Sequence, residues 1–455
     1  MNRVASRTMI VFVLVLALLG GTVFFGVDYT LNSRNWVMTS GSPHVYEDNR
    51  VAQGVITDAE GTILLSLVDE RTYSSNEQIR RSTMHWVGDR SGNVGSGILK
   101  KYAAEIVGYD PISGTYRYGD AAGQMKLTLN AQVQAAALQA MGNYKGTVAL
   151  INYETGQIVC SVTTPTYDPD HAPDISSDSS GAYEGVYMNR FLRSAYTPGS
   201  IFKIVTLAAA LETDEDIRLE TFTCTGLMEF GPDKVTCERV HGEQTLKEAF
   251  CNSCNCVFGQ LAIRIGRDKM MRYAAQFGLT ESIDFDGLTT VKGQYDVSSA
   301  ADQELAWSGV GQYTNLINPC SFLRFVAAVG NDGVAKQPYV VSSIKVSGKA
   351  TYTAEVPEGE RLLPVTTAKA LQEFMGYNVT AKYGAENFNG LAVCAKSGTA
   401  EVGGDKRPNA MFTGFVTDSH LPLAFIVCIE DGGYGAQICI PVLTQILEAC
   451  KIHLQ

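Results

Sequence analysis

The sequence predicts an α+β fold: an antiparallel sheet flanked by helices, on a β-rich N-terminal spacer, behind one N-terminal helix able to cross a membrane. Three observations lead there. Strands rich in β-branched residues stand at both ends of the larger unit, with helical stretches between and after them; the region before it is polar, with only short alternating apolar runs; and 20 residues near the start carry no charge. A chain of 455 residues exceeds what one core usually covers, so two or three units are expected.

From Thr8 to Val27 the run TMIVFVLVLALLGGTVFFGV is long enough, at about 1.5 Å per residue, to cross a hydrocarbon core of about 30 Å. Arg3 and Arg7 precede it and Asp28 follows, so the positive-inside rule keeps residues 1–7 in the cytoplasm and sends the remainder outside. A cleaved signal peptide shares the basic start. This run, however, exceeds the roughly 7–15 residues of a signal-peptide core and has no small-x-small site at its end, so a retained anchor is expected.

Residues 28–126 are rich in Gly, Ser and Arg, and GVITDAEGTILLSLV alternates as a hairpin turning at Asp58–Gly61. They read as a spacer with little core of its own. A second texture opens at Leu127, giving a unit over 127–455. LTLNAQVQAAALQAMG has an N-cap at Asn130 and a stop at Gly142, and GTVALI and QIVCSVT flank the turn NYETG. Residues 167–188 are loop, dense in Asp, Ser, Pro and Gly, and an apolar helix begins near Ser200. Several helical stretches then run to about residue 390, and LAVCAK, AMFTGFVTD, LAFIVCIED and CIPVLTQILEACKI read as three strands and a closing helix.

A net charge of −11 without any Lys/Arg cluster excludes a nucleic-acid groove. Eleven cysteines cannot all pair. Cys224 and Cys237 flank a Gly-Pro turn, where they would either bridge a hairpin or lie as small buried hydrophobes.

Three short motifs carry chemistry. In SAYTPGSIFKIVTLAAALE, Ser200 and Lys203 are three apart on a helix with almost no polar face, and positions i and i+3 are neighbours. Burial lowers a lysine pKa and turns the amine into a base toward the serine hydroxyl, while free N–H groups at the helix start suit a developing oxyanion. Alone, Ser-x-x-Lys also fits a capped helix with a snorkelling lysine. Ser253-Cys254-Asn255 stands on a loop before a second apolar helix, and Lys396-Ser397-Gly398-Thr399 closes a strand, where Gly398 leaves room for a ligand along that edge. S-x-x-K, S-x-N and K-[ST]-G in that order form the set of serine β-lactamases and penicillin-binding proteins.

The resemblance extends further. KGTVALINYETGQIVCSVTTPTYDP, NRFLRSAYTPGSIFKIVTLAAALE, HGEQTLKEAFCNSCNCVFGQLA, GVGQYTNLINPCSFLRFVAAVGNDG and NAMFTGFV resemble class B, monofunctional penicillin-binding proteins over roughly residues 127–450. NRVAQGVITDAEGTILL is similar to that family's Arg-Gly-x-Ile-x-Asp-Arg-x-Gly signature, departing at Gln53 and Ala59, and RRSTMHWVGDRSGNVGSGI resembles the stretch that follows in short Gram-positive members. The resemblance implies a β-lactamase/penicillin-binding-type domain on a pedestal, and a D,D-transpeptidase that crosslinks peptidoglycan stem peptides on lipid-linked precursor strands. Ser200 would attack between two D-alanines, Lys203 would take its proton, and Ser253 would relay it to the leaving amine. Asn255 would position Lys203 and contact the donor peptide, and Lys396 would supply positive potential. Ser397 and Thr399 would bind the terminal carboxylate, and the backbone N–H groups of Ser200 and Thr399 would form the oxyanion hole. β-Lactams would acylate Ser200, and a multi-span glycosyltransferase of the shape, elongation, division and sporulation type would be the partner.

Other signals carry less. Cys237, His241, Cys251, Cys254 and Cys256 invite a zinc reading, but Cys254 is the middle residue of the Ser-x-Asn loop and no second C-x-x-C completes a site, so neither metal nor cofactor is expected. Six scattered histidines form no Cys-His hydrolase pattern, and Glu401 reads as a solvated or salt-bridged carboxylate rather than a catalytic one. The alternatives are a D,D-carboxypeptidase, a β-lactamase, a β-lactam sensor and a catalytically silent scaffold for a polymerase, the last opposed by the intact triple of motifs. A ~100-residue spacer would have no purpose in a β-lactamase, and a sensor would be expected to carry several spans and an H-E-x-x-H motif.

Overall fold

A computed structural model describes residues 2–37, 54–68, 71–107, 109–110, 115–116 and 123–454. Gln53, one of the two departures from the spacer signature, lies outside them. The chain starts with a helix, Asn2–Val37, whose stretch Val4–Asn32 is long and apolar enough to cross a membrane.

Five antiparallel strands form the central sheet, in the order Val393–Ala400, Asn409–Val416, Leu423–Glu430, Lys145–Asn152, Ile158–Thr164. The hairpins expected at both ends of the unit thus pair into one sheet, Leu423–Glu430 lying beside Lys145–Asn152. Helices cover both faces, which is why these strands read as continuous apolar runs rather than alternating ones. Ala131–Met141, capped by Asn130 as expected, and Gly435–His453 pack on one face around Val148, Leu150, Phe412 and Leu443. On the other face Pro319–Gly330 leads into a helical region built around Lys203–Thr213.

The spacer carries the Val55–Thr57/Ile63–Ser66 hairpin, and its sheet draws on both parts of the chain. It has six strands, and two of them, Val341–Val346 and Lys349–Thr353, come from the later sequence. The boundary expected between residues 126 and 127 falls inside the strand Gly123–Leu127, which pairs with both Val55–Thr57 and Val341–Val346. Ile56, Leu64, Leu65 and Trp86 join one continuous core with Phe202 and Leu207, so the spacer shares its core with the larger unit.

One spacer element, the helix Glu77–Val87, was not expected. It buries Ser82, Thr83 and His85 along with Trp86, and buried polar residues hide the apolar period on which a sequence reading relies. The helix docks through polar contacts: Trp86 Nε1 donates to Ser161 O at 2.9 Å, Gln134 Nε2 donates to Ser82 O at 3.2 Å, and Arg80 forks onto Asp168 at 2.6 and 2.8 Å.

Candidate active site

Ser200 lies on a 3₁₀ turn, Gly199–Phe202, and Lys203 opens the α-helix that follows. The helix was expected to begin at the serine. The tighter turn comes from Gly199, whose φ of +53° belongs to the left-handed region. A Cβ there would stand 2.6 Å from Thr399 O, so only glycine lets the serine turn press against the edge strand.

Lys203 is fully buried under that turn. Its Nζ contacts Ser200 Oγ at 3.0 Å, Ser253 O at 2.6 Å, Ser253 Oγ at 3.1 Å and Asn255 Oδ1 at 2.7 Å, with the Phe258 ring 5.7 Å away. Burial pushes the amine from its ordinary 10.5 to about 7.

The Ser253 loop joins two helices, Leu246–Cys251 and Asn255–Ile265, and Ser253 takes a φ of +57°, uncommon for a side chain with a Cβ. Asn255 Nδ2 donates to Thr236 O at 2.9 Å, which fixes the amide so that its oxygen faces Lys203.

Lys396 reaches in from the opposite wall. It is fully buried on the strand Val393–Ala400, with Nζ 3.1 Å from Ser253 Oγ and 2.9 Å from Ser397 O. Burial first, and then the charge of Lys203, push its pKa well below the usual lysine range. Two ammonium groups sharing one hydroxyl repel, so each disfavours the charged form of the other.

The strand is an edge strand, so one side of its backbone is left for a ligand to pair with. Ser397 and Thr399 line an open cleft of about 700 Å³ together with Ser200, Ser253 and Asn255. Gly398 works differently from the expectation. A Cβ there would meet Pro198 O at 3.0 Å and Ile201 N at 3.1 Å, so the space it leaves is filled by the serine turn and not by a ligand.

Every residue expected at the site is therefore within this one constellation. Others were not singled out by the sequence. Tyr383 is buried with its hydroxyl 2.9 Å from both Ser397 Oγ and Ser397 N; it sits on a π-helical turn, Val379–Tyr383, with no motif to mark it. Trp307, Gln312, Lys382 and Tyr434 also line the cleft, as does Glu401, which is exposed as expected.

A family model described as the penicillin binding protein transpeptidase domain matches residues 146–448. The chain is 32% identical over 342 residues to a protein named peptidoglycan D,D-transpeptidase PbpA from Mycolicibacterium smegmatis, covering 68% of each. Among solved structures it is similar to the D,D-transpeptidase domain of a peptidoglycan glycosyltransferase from Eggerthella lenta, at 27% identity and a TM-score of 0.77 over 89% of this chain and 99% of that one. It also shares its fold with penicillin-binding protein A from M. tuberculosis, solved as a ceftriaxone acyl-enzyme complex, at 23% identity and a TM-score of 0.77 over 90% of this chain and 100% of that one.

Proposed function

The chain belongs to the penicillin-binding protein transpeptidase family, and from that premise we propose that it is an anchored peptidoglycan D,D-transpeptidase working through a Ser200 acyl-enzyme. The observation that carries the residue assignment is Lys203: a fully buried amine, with a pKa near 7, in contact at once with Ser200 Oγ, Ser253 Oγ and Asn255 Oδ1.

Neutral Lys203 takes the proton of Ser200 across 3.0 Å as Oγ attacks the carbonyl between the last two D-alanines of a stem peptide. Backbone N–H groups of Ser200 and Thr399 receive the developing oxyanion, where a single donor is worth roughly 3–4 kcal/mol in well-studied hydrolases. Ser253 Oγ, 3.1 Å from both amines, passes a proton to the departing D-alanine. Lys396, whose Nζ stands across Ser253 Oγ from Lys203, supplies positive potential on the strand wall. Its ammonium and the hydroxyls of Ser397 and Thr399 hold the terminal carboxylate. An amine from a neighbouring strand then attacks the ester, which completes the crosslink and frees Ser200. β-Lactams follow the same first step and stay attached.

The apolar helix anchors the chain with residues 1–7 in the cytoplasm and the cleft outside, where peptidoglycan lies. The membrane helix and spacer are the surfaces for a multi-span glycosyltransferase that makes the strands to be crosslinked.

Fluorescent penicillin labelling of the detergent-solubilised chain beside Ser200→Ala tests the reading. Label is expected on the wild type alone, and equal labelling of a folded variant would overturn the nucleophile. Incubation with donor and acceptor peptides should give crosslinked product. Release of D-alanine without it would mean that water resolves the ester.

A further inference from the structure

Four side chains with no part in the acyl-transfer chemistry converge beneath the Ser253 loop. Cys224 ends the strand Thr221–Cys224, Cys237 follows the strand Asp233–Thr236, His241 precedes the strand Gly242–Thr245, and Cys254 lies between Ser253 and Asn255. Their three Sγ atoms and the imidazole nitrogen all lie within 4.8 Å of one another. His241 Nδ1 is 3.5 Å from Cys224 Sγ and 3.4 Å from Cys237 Sγ, and Cys237 Sγ is 3.8 Å from Cys254 Sγ.

These three spacings match edges of a coordination tetrahedron. Zinc bonded to sulfur at ~2.3 Å and to imidazole at ~2.0–2.1 Å separates two sulfurs by ~3.8 Å, and a sulfur from a nitrogen by ~3.5 Å. A disulfide would bring two of the sulfurs to ~2.05 Å, and all eleven cysteines are free thiols. The backbone N–H of Asn255 donates to Cys237 Sγ at 3.3 Å, a bond that favours the thiolate form in which cysteine binds metal. Cys224 and Cys254 are buried, and Cys237 and His241 are half-buried. The sequence reading set aside a grouping of Cys237, His241, Cys251, Cys254 and Cys256 and expected no metal. Cys237, His241 and Cys254 belong together, but the fourth member is Cys224, 30 residues before Cys254, and not Cys251 or Cys256.

We infer that Cys224, Cys237, His241 and Cys254 form a tetrahedral zinc site that holds the loop carrying Ser253 and Asn255 in place. Three thiolates and one imidazole select zinc over the oxygen-seeking cations, and four protein ligands leave no open position, so the site is structural. Each thiol releases its proton to solvent as it binds. Cys254 is covalently flanked by two residues that contact Lys203, and its neighbour Ser253 has a left-handed backbone; fixing Cys254 fixes both contacts. The metal site stands on its own geometry, and only its effect on acylation rests on the function proposed above.

The test uses the full chain, purified in detergent under reducing conditions. About one zinc per chain is expected, and cobalt(II) in its place should give the thiolate-to-metal charge-transfer absorption and the intense d–d bands of a tetrahedral site. Cys224→Ser should weaken metal binding by at least about tenfold and reduce the charge-transfer band. Ser200→Ala should keep zinc and the cobalt spectrum while losing penicillin labelling, which separates failure of the metal site from failure of the catalytic assignment. Stripping zinc from the wild type should slow labelling, and adding it back should restore it. The site is overturned if the reduced wild type takes up no cobalt, if its spectrum lacks thiolate charge transfer, if iron or copper is found in place of zinc, or if two of the four residues are isolated as a disulfide. Labelling unchanged by complete metal removal overturns the positioning role. Should Cys224→Ser fail to fold, the wild-type cobalt titration decides alone.

Discussion

The strand wall of the cleft, Lys396 to Thr399, is held by backbone, whereas the helical wall, Ser200, Lys203, Ser253 and Asn255, is held by side chains bonded to one another. On the strand, Lys396 pairs with Thr413, Ser397 with Phe412 and Thr399 with Ala410, in a register that any side chain would keep. On the helical wall, Lys203 Nζ ties together two segments 50 residues apart in sequence. Backbone ladders position groups independently, while a shared hydrogen-bond hub makes each group depend on the others. The helical wall should therefore be brittle and the strand wall tolerant.

The sharpest way to break the hub is Lys203→Met, which keeps the apolar bulk but removes the base. Penicillin acylation is expected to fall by roughly 10³-fold or more while circular dichroism stays native. A variant still acylating at neutral pH would remove the general-base role.

Gly199→Ala acts where the two walls touch. The added Cβ meets a backbone oxygen at 2.6 Å in a left-handed conformation, so neither partner can yield cheaply. A stability loss of about 1–3 kcal/mol is expected by urea unfolding, together with slowed acylation, because the serine turn must lift off the strand. Unchanged unfolding and labelling would mean that the walls are not braced against each other.

Titration reads the state of Lys203. Acylation should rise as pH increases toward about 7 and level off above it, following the loss of the Lys203 proton. The sign for stability follows from the same lysine. Between about 7 and its ordinary 10.5 the unfolded chain holds the proton more tightly than the folded one, so this group's contribution to stability rises with pH across that window. An acylation rate flat from pH 5 to 9 would show that Lys203 is not the titrating base.

Tyr383→Phe is the mildest change. It removes a hydroxyl that contacts Ser397 Oγ and N at 2.9 Å, yet the ladder still holds Ser397 in register. A loss of about 1 kcal/mol in stability and a several-fold slower acylation are expected. A loss as large as that of Lys203→Met would show that the strand wall is no more tolerant than the helical one.

The amino-acid pattern by itself determined the elements whose signal is local. The caps at Asn130 and Gly142, the turn of Asp58–Gly61, the uncharged run of Thr8–Val27 and the buried strands all follow from neighbouring residues, whose period and turn chemistry act over a few positions. The three motifs also picked out residues that the fold brings together around one cleft, because their order and residue types are visible without coordinates.

What only the tertiary structure decided depends on residues distant in sequence. Val341–Val346 completes the spacer sheet by pairing with Gly123–Leu127, the helix Glu77–Val87 docks partly through polar contacts, with Ser82, Thr83 and His85 buried beside Ile79, Trp86 and Val87, and Gly398 makes room for the serine turn. Cys224 enters a cluster with Cys237, His241 and Cys254 because the strands Thr221–Cys224 and Gly242–Thr245 pair and bring their ends together. The depressed pKa of Lys203 belongs here too: an apolar helix suggests burial, but only packing against Ser253, Asn255 and Phe258 removes water from the amine and so disfavours its charged form.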